Sequence, residues 1–148
     1  MTVDQIEREI TVDAPLERVW EVVTGAEHLG TWFADAGAEI DLRPGGALLL
    51  RWKEYGESTG RVITVERPRT FAFRWALSAG EEPGDGNSTL VEFALAADSD
   101  GRTRVHVVES GFSTLDLSAD EQAKRVEGNT EGWRLELDEL AAYVTSAA

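Results

Sequence analysis

Residues 132–144, Gly132-Trp133-Arg134-Leu135-Glu136-Leu137-Asp138-Glu139-Leu140-Ala141-Ala142-Tyr143-Val144, decide the fold. Trp133, Leu137, Leu140 and Val144 recur at helical spacing, so one long face is apolar and the other charged. Almost everything before this stretch reads as strands. A single long amphipathic helix that follows a run of strands has to bury its stripe against the sheet those strands make. Such an arrangement can leave a cavity between helix and sheet.

Upstream of the stripe, Ser118-Ala119-Asp120-Glu121 matches a capping box and marks where the helix begins. Gly128, Asn129 and Gly132 fall inside its first half, and each interior glycine costs about 1 kcal/mol against alanine. That half is expected to be the softer one and open to a kink, with the firm half starting at Trp133.

Working back to the N-terminus, Ile6 to Val12 alternates as a half-buried strand. Asp13-Ala14-Pro15 starts a helix, with Asp13 or Ala14 near the cap, Val19, Trp20 and Val23 inward, and Gly25 at its end. A second short helix is expected from Ala26 to Phe33, its end pinned to the core by Trp32 and Phe33. Strands follow over Ala38–Leu42, Ala47–Lys53, Gly60–Glu66, Thr70–Leu77, Thr89–Ala96 and Arg102–Ser110. Arg43-Pro44-Gly45-Gly46, Glu54 to Ser58, Arg67-Pro68, the polar loop Gly80 to Asn87, and Asp98-Ser99-Asp100-Gly101 separate them. Short hairpin connections make the sheet antiparallel. The fold class is α+β, one domain over residues 1–148, with a curled sheet around a long C-terminal helix.

Composition narrows the function. The net charge of −14 repels phosphate, so nucleic acid and anionic membranes are not expected partners. The absence of cysteine excludes disulfides, thiol nucleophiles and cysteine-ligated metals. No basic stretch with an apolar h-region opens the chain, and no apolar run approaches membrane length, so a cytoplasmic protein without membrane insertion is expected.

Several short motifs occur in order. They are Arg8-Glu9-Ile10, Ala14-Pro15 followed by Val19-Trp20, Trp32-Phe33, Asp41-Leu42-Arg43-Pro44-Gly45-Gly46, Gly60-Arg61-Val62, Phe73-Arg74-Trp75, Ser110-Gly111-Phe112, and Gly132-Trp133 with Leu137 and Leu140. In series they resemble the activator of Hsp90 ATPase homologue 1-like (AHSA1-like) branch of the START/Bet v1-like superfamily, also called SRPBCC. The resemblance implies a helix-grip fold: a curved antiparallel sheet of about six or seven strands, a long C-terminal helix, and a hydrophobic cavity between them. It also implies a class of ligands, since many superfamily members bind lipids, sterols, polyketides or other apolar molecules and some are cyclases or hydroxylase components. The chaperone-activator name comes from a eukaryotic protein in which such a domain is only one part, so direct Hsp90 activation is not the expected role here.

The candidate site follows from the strand alternation. Trp52, Phe73, Trp75, Phe112 and Trp133 are expected to point toward one interior, with Leu137 beside them on the helix, and to line an apolar pocket. The alternative is that these rings fill the core. In Thr103-Arg104-Val105-His106-Val107-Val108-Glu109, Glu109 shares a face with Val105 and Val107. It is read either as a ligand-orienting group or general base at the cavity mouth, or as a strand end meeting solvent or an arginine. Relatives in the branch often carry His at the position aligned with Glu109, so a role inferred from that His does not transfer.

The remaining motifs read as structure. His28 and His106 lie in different elements and supply no metal site. Asp35, Glu39 and Asp41 read as a solvated edge, and Gly45-Gly46 and Gly84-Asp85-Gly86 read as turns. Ser110 has no histidine on its face for a triad, and the sequon Asn87-Ser88-Thr89 is read as chance. Gly111-Phe112 through Leu115-Asp116-Leu117 is read either as a gate over the cavity or as a packed loop. No cofactor is expected.

Three functions remain open from the residues: a binding module for a small hydrophobic ligand, a cyclase- or dehydratase-like enzyme using Glu109, and a chaperone-type or other protein-partner role. The first is preferred, and exposed strand edges leave room for a homodimer.

Overall fold

In the computed structural model, which describes residues 3–146, strands β1 (Gln5–Val12), β2 (Ala38–Ile40), β3 (Ala47–Trp52), β4 (Gly56–Glu66), β5 (Thr70–Ala76), β6 (Ser88–Ala97) and β7 (Thr103–Ser110) form one antiparallel sheet. Their order across it is β1-β7-β6-β5-β4-β3-β2. Helices α1 (Leu16–Thr24) and α2 (Ala26–His28) follow β1, and α3 (Ala119–Ser146) closes the fold. Every neighbouring pair except β1–β7 is consecutive in sequence, which is what short hairpins dictate. This is the α+β helix-grip arrangement.

The inward face of the sheet is set by alternation. Leu48 and Leu50, Phe71 and Phe73, Val91, Phe93 and Leu95, and Val105 and Val107 are all buried. Trp133, Leu137, Leu140 and Val144 of α3 are buried against them, so the stripe does what its spacing requires. Among the described residues no helix is long and apolar enough to cross a membrane.

Several boundaries differ from the sequence reading. Helix α1 begins at Leu16, with extended Pro15 at its cap rather than Asp13 or Ala14. The Ala38–Leu42 strand ends at Ile40, because the Arg43-Pro44-Gly45-Gly46 turn begins to fold back there. That turn needs glycine: a Cβ on Gly46 would lie 1.9 Å from the Asp41 carbonyl oxygen. The expected loop Glu54–Ser58 is mostly strand, because Trp52 pairs with Gly56 and leaves only residues 53–55 to turn. The second helix changes pitch after His28 into a wide π turn over Leu29–Phe33, where Ala34 N–H donates to Leu29 O at 2.8 Å. The wider turn carries both Trp32 and Phe33 into the core.

Segment 111–117 is the packed alternative of the two readings. Phe112 and Leu115 are buried, and Asp4 O accepts from Gly111 and Phe112 N–H at 3.1 and 3.2 Å. The Gln122 amide donates to Leu115 O at 2.9 Å from inside α3. Helix α3 starts behind the Ser118 cap, where Glu121 N–H donates to Ser118 Oγ at 3.1 Å. It then runs as one unbroken helix through Gly128 and Gly132. Neither glycine is required by a close approach, since a Cβ at either would meet nothing within 4 Å.

Gly128→Ala is therefore expected to stabilise the protein by about 0.5–1 kcal/mol, raising Tm by a few degrees in a thermal melt. A loss of stability would mean that this part of α3 needs glycine after all.

Candidate functional site

Strand register assembles the site. Alternation along β7 turns Thr103, Val105, Val107 and Glu109 inward, leaving Glu109 wholly inaccessible to solvent. On β6, Val91 is paired with Glu109, so Thr89 lies diagonally beside it on the same face. Trp75 of β5 is in turn paired with Thr89. From above, α3 contributes Asn129 and Trp133, four residues apart and hence on one face.

These side chains converge on the Glu109 carboxyl group. Its Oε1 accepts from Trp133 Nε1 at 2.9 Å and from Asn129 Nδ2 at 3.1 Å. Its Oε2 accepts from Thr89 Oγ1 at 2.5 Å, Trp75 Nε1 at 3.0 Å and Asn129 Nδ2 at 3.2 Å. Trp75 Nε1 also donates to Thr89 Oγ1 at 2.8 Å. A buried carboxyl group without partners would cost several kcal/mol, but here every donor aims at an acceptor. Of the two sequence readings of Glu109, the strand end meeting solvent or an arginine is excluded by this burial.

Around the carboxyl group the rings pack on one another. Phe33, delivered by the π turn, stacks on Trp75 with centroids 5.8 Å apart and on Trp133 at 5.5 Å, with interplanar angles of 13° and 19°. Trp52 meets Phe33 edge-on at 5.5 Å, and its indole N–H donates to Phe33 O at 2.8 Å. Phe73 meets Trp75 edge-on at 5.4 Å. Part of the space between helix and sheet is thus occupied by the protein's own rings.

An open cleft of about 220 Å³ remains at one end of the stack. Trp52, Tyr55, Trp75, Ala76 and Leu77 supply its apolar walls, Ser58 and Asn129 polar groups, and Glu57 and Arg125 charges, while the buried Thr89 and Glu109 lie just beneath its floor. Of the seven residues singled out from the sequence, Trp52, Trp75 and Glu109 line it. Phe73, Phe112, Trp133 and Leu137 lie behind it in the core. Sequence reasoning did not single out Thr89, Asn129, Arg125 or Tyr55 for the site. Strand alternation could have found Thr89, opposite Trp75. The four-residue spacing from Trp133 could have found Asn129, which was read only as a weak helix former.

Other candidates disperse. His106 points outward to Glu7, at 2.6 Å, and His28 Nδ1 meets the Tyr143 hydroxyl at 2.7 Å. Asp35, Glu39 and Asp41 engage separate partners, the Lys53 N–H, Arg51 and Arg43. A second cleft of about 300 Å³ lies where Trp52, Phe33 and Tyr55 meet Asp35, Glu136 and Glu139. Glu136 Oε2 is buried there without a hydrogen-bond partner among the described residues. Burial, then the charges of Glu139 and Asp35, push the Glu136 pKa up to about 8.

The family model for activator of Hsp90 ATPase homolog 1-like protein matches residues 13–145. The chain belongs to this family. Solved structures agree on the fold, and several are similar to the chain along almost its whole length, three among them as follows. A Bacillus halodurans protein is 27% identical with a TM-score of 0.75, 97% of this chain and 99% of that one being covered. A Mesorhizobium loti protein is 19% identical with a TM-score of 0.80, at 97% and 98% coverage. The Aha1 dimer of Colwellia psychrerythraea is 19% identical with a TM-score of 0.72, at 96% of both chains. Among curated proteins, none matches. The family's fold is one that holds a ligand cavity, and in this chain a cleft lies beside the stacked rings and Glu109.

Glu109→Gln is expected to destabilise the protein by about 1–3 kcal/mol in urea unfolding. One indole N–H aims at each carboxyl oxygen, so either orientation of the glutamine amide sets its NH₂ against an indole that cannot accept. An unchanged midpoint would show that the indoles do not hold the carboxyl group.

Glu136 yields a pH effect of defined sign. Its folded-state pKa lies above the ordinary 4.5, so between those values the folded chain binds more protons than the unfolded one. Its contribution to stability is most favourable below about pH 4.5 and is lost as pH rises toward about 8. Glu136→Gln is accordingly expected to raise Tm relative to the parent more at about pH 9 than at about pH 5. A gap that stays constant across that range would contradict the raised pKa.

Proposed function

We propose that this protein binds a small hydrophobic, aromatic molecule in the cleft between β3, β5 and the first half of α3, acting as a cytoplasmic binding module. The observation that carries the reading is the cleft itself, with the rings of Trp52, Tyr55 and Trp75 at its walls and a hydrogen-bonded polar floor at Thr89, Glu109 and Asn129. A cavity of roughly 150 Å³ suffices for benzene, whereas drug-sized sites start near ~300 Å³. At about 220 Å³ the cleft suits one or two fused rings better than a lipid or an extended polyketide. Trp52 and Trp75 make the contacts in this reading, and Phe73, Phe112, Trp133 and Leu137 support them from behind.

The enzymatic alternative would use Glu109 as general base. Each of its oxygens already accepts at least two hydrogen bonds from groups that hold it still, which favours a positioning role over proton abstraction. The chaperone-partner alternative draws on the family's description alone, and a homodimer draws on the dimer solved for the Colwellia psychrerythraea relative.

Titration with naphthalene and indole, followed by tryptophan fluorescence and native mass spectrometry, tests the proposal. Saturable binding is expected. Tyr55 is 82% exposed, so Tyr55→Ala removes a wall without touching the core. It is expected to weaken affinity by about 2- to 10-fold, the worth of one aromatic contact. Absence of saturable binding to either probe would overturn the reading.

A further inference from the structure

The cleft holds a cation that the protein does not neutralise. Arg125 lines it, half-buried, from the same face of α3 as Asn129. Its guanidinium makes no hydrogen bond or ion pair with any described residue. Carboxylates are abundant in this chain, acidic residues outnumbering basic ones by 28 to 14, yet none of them meets this cleft-lining guanidinium at ion-pair distance. Arg43, Arg51, Arg61, Arg67 and Arg134 each hold one at ion-pair distance. The two acids that share the cleft with Arg125 are engaged elsewhere. Glu57 is bound to Arg51 at 3.5 Å, and Glu109 is saturated by its four donor side chains.

A guanidinium presents a planar fork of donors that matches a carboxylate, and a half-buried one without an anion gives up hydration for no return. We propose that Arg125 completes the site by binding an anionic group on the ligand, so that the cleft takes a small aromatic carboxylate. The inference rests on the cleft being the ligand site. Arg125 lies one helical turn, about 6 Å, before Asn129, which donates to Glu109. An aromatic acid of one or two rings spans that distance with its ring among Trp52, Trp75 and Tyr55 and its carboxylate at Arg125. This orientation also keeps the ligand's charge away from Glu109. A neutral ring of the same size would fill the walls and leave Arg125 without its anion.

The test compares 2-naphthoic acid with 2-naphthalenemethanol, matched in shape and differing in charge, by fluorescence titration at about pH 7 and low salt. The parent is expected to bind the acid at least about 10-fold more tightly than the alcohol, the preference shrinking as salt is raised. Arg125→Gln is expected to lose that preference while keeping the parent's affinity for the alcohol. A thermal melt matching the parent's would confirm its fold, since Arg125 has no internal partner to lose. Equal binding of the two probes by the parent overturns the inference and leaves the cleft reading standing. So does a preference for the acid that survives in Arg125→Gln. Failure of the parent to bind either probe overturns the cleft reading and the inference with it.

Discussion

The hydrogen-bonded Glu109 carboxyl group is the constraint on which the rest of the site depends. It ties together three neighbouring strands and the closing helix through side chains whose only common property is a donor aimed inward. Burying an acid at the centre of an apolar fold is costly, and the cost is offset only if the donors arrive together. Trp75, Thr89, Asn129 and Trp133 meet that requirement, and doing so fixes how far along the sheet α3 can slide. A shift of one helical turn would separate Asn129 and Trp133 from the carboxyl group at once.

Because the two indoles are pinned by their N–H groups, their ring planes are pinned as well. The near-parallel stacking of Phe33 on both Trp75 and Trp133 follows from that. The π turn at 29–33 exists at the one point where an ordinary helix would not deliver Trp32 and Phe33 inward in succession. A widened turn gives up regular hydrogen bonding, and here the return is a ring that closes the middle of the space between sheet and helix. What stays open lies at the end of the stack, where β3 and β4 turn at residues 53–55. Site shape is thus a by-product of how the carboxyl group is satisfied.

Helix α3 serves two environments along one side. Near its start, Arg125 and Asn129 face the cleft beside Glu109, whereas two turns beyond Asn129, Glu136 enters the second cleft beside Asp35 and Glu139. The first environment gathers donors around an acid. The second crowds acids together and leaves a buried oxygen of Glu136 unpartnered, with a raised pKa as the consequence. Trp52, bonded to the Phe33 carbonyl, stands between them and lines both. The overall negative charge says nothing of this division, because it arises from where individual side chains are held.

Element type and inward face were legible in the residues alone. The stripe Trp133, Leu137, Leu140, Val144 demanded a long buried helix, and alternation along Thr103–Glu109 turned Glu109 inward with Val105 and Val107. Hairpin turns made the sheet antiparallel, and the motifs in series pointed to the family. These are properties within one element, set by helical or strand periodicity. What tertiary structure alone decided was who meets Glu109 and whether space remains beside it. Its partners lie 20 to 34 residues away along the chain, in elements whose relative placement no periodicity encodes. Phe33 reaches the interior because of a local change of helical pitch, and Arg125 lacks an anion because the two acids in its cleft are engaged elsewhere. Cavities and unmatched charges are what is left after all the elements have packed, so they belong to the assembled molecule and not to any stretch of its sequence.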